Sequence, residues 1–297
     1  MCLFFGVAFT SPSFKSGYSP YLGMIDAGST GSRFYLFKMD RDENNEIVRM
    51  KEVYSAECTP GINSYASNLG GVWQPLYNLM KNAEKHVKTS GMCVLCYGLS
   101  PSRDIPVYIY ATAGMRVLNK HDQNRIYNAI YFAYLRSDLH FYMRRDMLQT
   151  IDGELEALYG WITVNVLFPQ FLDQNGRITP SLRYTRRATL GSLDLGGEST
   201  QIAYQFAVRR PGDAVDFAQD LFCRSFLSFG AKEAQLRFEA FLLSNREAFR
   251  DDADSREDRL HVPNPCNHRG YLDESPNYPA LPHEGTGNVA AKRPPHR

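Results

Sequence analysis

The chain has 297 residues, 43% of them hydrophobic and 22% charged, enough to bury the cores of two packed α/β lobes. A formal net charge of +1 excludes broad electrostatic capture of nucleic acid or of an anionic membrane, and leaves a local phosphate site open. In chain order, the apolar opening Met1–Phe9 has no basic leader and is too short to span a membrane. Residues 1–17 are therefore expected to be a lead-in, with two readings open: a clipped signal or anchor remnant, or a buried or disordered segment. Gly23–Asp26 predicts a short apolar strand, Gly28–Ser32 a Gly/Ser/Thr turn, and Phe34–Phe37 a second strand. Cys93 and Cys96 have C-x-x-C spacing, but neither a thioredoxin-like βαβ context nor a second ligand pair is visible, so no redox or zinc site is expected. Val107–Ala111 predicts a strand that runs into the small-residue turn Thr112–Gly114, with Thr112 toward a cleft and Arg116 behind it. The Tyr- and Arg-rich stretch Asn124–Leu148 predicts helical structure, half-exposed and packed on the first lobe. Asp152–Asn165 predicts a turn opening a helix, with Ala157, Trp161 and Val164 on one apolar face. Glu154 and Glu156 sit in its first turn, where the helix dipole alone accounts for Glu154. Gly191–Phe206 predicts another hairpin. His261, Cys266 and His268 fall in a Pro-rich loop that matches no zinc spacing, and from Pro276 the chain turns to Pro, Gly, His and basic residues, a disordered tail without a core of its own.

The chain is most informative when compared with itself. Gly23-Met24-Ile25-Asp26-Ala27-Gly28-Ser29-Thr30-Gly31-Ser32-Arg33-Phe34 has a partner in Gly191-Ser192-Leu193-Asp194-Leu195-Gly196-Gly197-Glu198-Ser199-Thr200-Gln201-Ile202. Either hairpin alone is equally well a tight β-turn with capping hydroxyls. Two copies with the Asp in the same register point to a shared task. Glycine lets the backbone turn tightly and approach a bulky anion. Successive N–H groups in such a turn form a nest for phosphate oxygens, and Ser and Thr hydroxyls add donors. An Asp at a strand end suits a hard divalent cation, held through its waters. Facing each other, the two hairpins would clamp a metal–polyphosphate.

Asp26–Arg33, Ala111-Thr112-Ala113-Gly114-Met115-Arg116, Glu154–Asn165 and Leu193–Ile202 resemble, in order, the first four conserved regions of the apyrase family, which includes CD39-like ectonucleotidases and Golgi nucleoside diphosphatases. The resemblance covers about residues 21–206, and Ser225–Gly230 and Pro265–Tyr271 resemble later landmarks. It implies an α/β fold of two actin-like (ribonuclease-H-like) lobes, residues 18–150 and 151–275, the second incomplete, followed by the 276–297 tail. It implies Glu156 as general base and Ser199 as the serine that positions the attacking water. Asp26 and Asp194 would hold Mg²⁺ or Ca²⁺ through its hydration shell. Gly28, Ser29, Thr30, Gly31, Ser32 and Arg33 would form one phosphate loop; Gly196, Gly197, Glu198, Thr200 and Gln201 the other, with Thr112 lining the same cleft. Nucleoside di- and triphosphates are the implied partners, with residence in the secretory pathway (Golgi, cell surface or extracellular) and membrane anchoring at or beyond the ends of the chain.

Four departures matter. Leu155-Glu156-Ala157 replaces the family's Glu-Glu-Gly but keeps the base. Glu198 stands where a small residue is usual, and a carboxylate beside phosphates repels them unless it points away. Ser228 replaces a cysteine commonly paired with the one matching Cys266, a place that Cys223 would have to fill. No counterpart of the fifth region or of nucleobase-binding residues is found, so a truncated product is expected. Two other readings stay open: an exopolyphosphatase-like phosphohydrolase, which the Ala113–Arg116 and Trp161 stretches fit less well, and a shortened non-catalytic nucleotide-binding variant.

Overall fold

β1 (Tyr21–Ala27) is an apolar run buried along nearly its whole length, which marks it as a strand flanked on both edges and covered on both faces. A computed structural model places it at the centre of a five-stranded sheet and describes residues 19–89, 105–179, 182–185, 188–207, 209–245, 262–264, 272–274 and 282–285. The lead-in, Cys93, Cys96, His261, Cys266, His268 and all of the tail except 282–285 lie outside the described residues.

β1 pairs antiparallel with β2 (Ser32–Arg41), which pairs with β3 (Ile47–Cys58); on its other edge β1 runs parallel to β4 (Val107–Ala111), and β4 to β5 (Leu148–Thr150). α1 (Trp73–Thr89) presents Leu76, Leu79, Met80, Ala83 and Val87 at helical spacing to the core of this sheet. A single helical turn, α2 (Ala113–Arg116), follows β4 directly.

The Tyr- and Arg-rich stretch departs from expectation. α3 spans Lys120–Leu135, and the rest is loop, one 3-10 turn and β5. Tertiary contacts decide this: Phe141 and Met143 are buried, and the Tyr134 hydroxyl donates to the Phe141 carbonyl (2.7 Å) and accepts from the Met143 amide (3.2 Å). Arg145 returns to Asn124 and Asn128 on α3 and lies over the Tyr127 ring, so the basic and aromatic content is spent on packing.

α4 (Gly153–Leu167) begins at Asp152, whose carboxylate accepts from the Leu155 amide at 2.7 Å. It is not one-faced as expected: eight of its fifteen residues are buried, and Val164 is only half-buried. The helix is wedged between two hydrophobic clusters, with Tyr159 in the cluster of the first sheet and Ala157, Trp161, Ile162 and Val166 in another with Phe171, Tyr184 and Leu221. A helix apolar all round is a buried helix.

The second sheet, in the order β6-β7-β8, is antiparallel: β6 (Ser192–Leu195), β7 (Ser199–Gln205) and β8 (Leu221–Leu227), the last preceded by a short turn, α5 (Phe217–Asp220). Ser199, Gln201 and Ala203 on alternate positions of β7 are buried, whereas Tyr204 on the opposite face is exposed. The α/β class and the duplicated hairpin are both present. The chain forms two compact units, Met1–Gly230 and Ala231–Arg297. The second contains α6 (Ala231–Ser244) and a small sheet in which β11 (Pro282–Gly285) lies between β10 (Leu272–Glu274) and β9 (Val262–Asn264); β11 falls inside the stretch expected as tail. Among the described residues no helix is long and apolar enough to cross a membrane.

Candidate active site

The two hairpins have the same internal register. Asp26 pairs across its turn with Arg33 and Ala27 with Ser32; Asp194 pairs with Gln201 and Leu195 with Thr200. Each Asp is thus the penultimate residue of its strand. The turns meet: a Cβ on Gly197 would stand 2.6 Å from Ser29 Oγ. The turn after β4 joins them, since a Cβ on Gly114 would stand 2.6 Å from Ser29 Cα, a backbone approach only glycine allows.

Between the turns lies a cavity of about 400 Å³ lined by Asp26, Gly28, Ser29, Thr30, Arg33, Tyr35, Thr112, Ala113, Glu156, Asp194, Leu195, Gly196, Gly197, Glu198 and Ser199. Twelve of the expected site residues therefore share one space. Thr112 is buried there, its amide donating to the Ala27 carbonyl (3.2 Å). Arg33 sits at the cavity and pairs with Glu57 at 3.3 Å, both largely in solvent. Glu198 is buried and lines the same cavity.

Four expected residues do not line the cavity. Ser32 is fully buried and its Oγ has no hydrogen-bond partner among the described residues. Gly31 packs against β3, with its missing Cβ 2.6 Å from the Cys58 carbonyl oxygen. Thr200 Oγ donates to the Phe229 carbonyl (2.6 Å). Gln201 is buried behind Ser199, its Nε2 donating to Ser199 Oγ (2.6 Å) and Ser225 Oγ (2.9 Å).

Glu156 enters from the first turn of α4, its amide bonded to the Asp152 carbonyl at 3.1 Å. Its carboxylate receives Arg116 Nη1 at 2.8 Å, and both side chains are almost enclosed. Burial pushes the Glu156 carboxyl up to about 7; Arg116 opposes the rise, and the charges of Asp26 and Asp194 add to it. Glu154, two residues earlier, is exposed and pairs with Arg224 on β8, an anchoring contact outside the cavity. Burial also raises the Asp26 carboxyl, with Arg33 opposing and Asp194 reinforcing. Asp26 and Asp194 are thus oxygen donors of like charge on one cavity, a donor set that suits a hard divalent cation. Among the described residues no cluster of three or more His, Cys, Asp or Glu forms a metal cage. A cation would take its remaining ligands from water and substrate oxygens.

Tyr35 escaped the sequence reading, and Arg116 was placed behind the cleft without a role. Tyr35 stands two residues after Arg33 on β2, so strand alternation puts both on one face. Arg116 follows Thr112 by one helical turn, the spacing that returns a side chain to the same side.

The model of the GDA1/CD39 (nucleoside phosphatase) family matches residues 16–281. Guanosine-diphosphatase of Schizosaccharomyces pombe is 27% identical over 260 residues, covering 84% of this chain and 43% of that protein. Golgi apyrase of Saccharomyces cerevisiae is 26% identical over 280 residues, covering 83% and 42%. A nucleoside triphosphate hydrolase structure from Neospora caninum shares the fold, with a TM-score of 0.54 at 17% identity over 86% of this chain and 51% of that one. The chain spans less than half the length of the two sequence relatives. Its architecture is the actin-like α/β type, built on a duplicated hairpin. With nearly the whole chain matched and the paired Asp registers in place, the chain belongs to the GDA1/CD39 nucleoside phosphatase family.

Proposed function

We propose that the chain hydrolyses nucleoside tri- or diphosphates by direct attack of water on the terminal phosphorus, with Glu156 as general base. The observation that carries this reading is Glu156 itself: an enclosed carboxylate raised to about 7 and opening on a cavity flanked by two glycine-rich turns. A base with that affinity takes a proton from water near neutral pH and releases it afterwards. The turns Gly28–Thr30 and Gly196–Gly197, with Thr112, cradle the phosphates through backbone N–H and hydroxyl donors. Ser199 holds the attacking water in line. Asp26 and Asp194 hold Mg²⁺ or Ca²⁺ through its waters; when bound, the ion supplies charge neutralisation at the phosphoryl oxygens. The two lobes divide near residue 150, and the likeness to a Golgi apyrase supports residence in the secretory pathway.

The test is phosphate release from ATP, ADP, UDP and GDP with Mg²⁺ or Ca²⁺ and with chelator, beside Glu156→Gln. Metal-dependent release that Glu156→Gln lowers by about 10²–10⁴-fold is expected. Release insensitive to chelator or to that substitution would refute the assignment.

A further inference from the structure

Among the described residues Arg116 is the one cationic side chain that touches both members of the reactive pair. Its Nη1 donates to Glu156 Oε2 (2.8 Å) and to the Ile151 carbonyl (3.3 Å), and its Nη2 donates to Ser199 Oγ (3.1 Å). It thereby joins α2, the start of α4 and β7, three elements that are far apart in sequence. A guanidinium has only donors, so Ser199 Oγ must accept from it. The amide nitrogen of Gln201 donates to the same oxygen at 2.6 Å. A hydroxyl oxygen accepts two hydrogen bonds, and both places are taken. All that remains to Ser199 is to donate its own proton.

We infer that Arg116 is a positioning residue that makes Glu156 and Ser199 one directional unit; this rests on the reading of Glu156 as base. Water between the two side chains receives the Ser199 proton as a hydrogen bond and gives its own proton to Glu156. One lone pair of the water is then left to face phosphorus. A serine without Arg116 could turn its proton toward Glu156 instead and compete with the water for the base. The charged groups acting on Glu156 are Arg116 from α2, Asp26 from β1 and Asp194 from β6. Arg116 is the only cation of the three, and it does not line the cavity, so its influence passes through its partners.

The experiment compares Arg116→Gln, Arg116→Lys and Arg116→Ala with the unmodified chain, each first shown to be folded by its unfolding transition. In Arg116→Gln, kcat should fall about 10²-fold with KM within about threefold, since the phosphate cradle is untouched. Adding Ser199→Ala to Arg116→Gln should cost far less than it does alone, because the serine has already lost its orientation. Millimolar guanidinium should restore part of the turnover of Arg116→Ala, and Arg116→Lys should keep the charge but not the fork, leaving kcat low. Independently of turnover, carboxyl ¹³C NMR should show the Glu156 titration moving up by about one pH unit in Arg116→Gln. An unmoved titration, a loss confined to KM, or strictly multiplicative effects of the two substitutions would overturn the role of Arg116. Turnover surviving Glu156→Gln would instead sink the functional reading of the site.

Discussion

The two hairpins carry nearly the same sequence pattern and live in different surroundings. In the first, β1 is enclosed, with Leu22, Ile25 and Ala27 fully buried and β4 paired along its second edge. In the second, the equivalent strand β6 is a sheet edge among the described residues, and Leu193 and Leu195 are 79% and 68% exposed. Among the described residues α4 packs on one face of its sheet, where Ala203 joins Ala157, Trp161 and Ile162. In both hairpins the Asp sits at the same register beside a glycine-bearing turn on one cavity. The difference among the described residues lies in the other face of each strand, covered in β1 and exposed in β6.

Substitutions in equivalent strands test this difference most sharply. Ile25→Ala should cost about 2–5 kcal/mol in urea unfolding, and Leu193→Ala no more than about 0.5 kcal/mol. Equal losses would mean that the outer face of β6 is covered in solution. The next effect concerns pH. The working form of the base is the carboxylate, so kcat/KM should rise with pH up to the Glu156 value of about 7, falling about tenfold per unit below it. Both hairpin aspartates hold that value up, so Asp26→Asn and Asp194→Asn should each move the limb to lower pH. In the metal-free protein stability runs the opposite way. Folded Glu156 keeps its proton to about 7, whereas an ordinary glutamate releases it near 4.5. The folded state therefore binds more protons across that window, and stability should fall through it by up to about 3 kcal/mol as pH rises. Urea melts at the two ends of the window should show this slope, and Glu156→Gln should flatten it.

Smaller effects separate the hairpins further. Either Asp→Asn change should raise the Mg²⁺ or Ca²⁺ concentration for half-maximal phosphate release about tenfold; a change for only one of them would assign the cation to one hairpin. Smallest is Glu198, the acid that the second turn carries and the first lacks. Removing it as Glu198→Ala should lower KM for the nucleotide about threefold, by taking a like charge from the phosphate cavity.

The sequence by itself determined the local pieces: two strand–turn–strand units with Asp in the same register, the small-residue turn around Thr112, and a helix that begins at Asp152 and carries Glu156 one turn in. These follow from short-range rules, alternation, capping and glycine turns, which act within a few residues. What long-range packing settles was not legible. α3 stops at Leu135 because Phe141 and Met143 must reach the core, and α4 is buried on more than one face because two clusters meet on it. Gln201, which the resemblance put in the second phosphate loop, lies buried on β7 with its Nε2 on Ser199 Oγ. Arg116 lies 40 residues from Glu156 and 83 from Ser199, and nothing along the chain marks that meeting. Only the tertiary structure decided which side chains touch, because contact between distant segments depends on how sheets and helices stack, and the periodicity of each segment alone does not encode it.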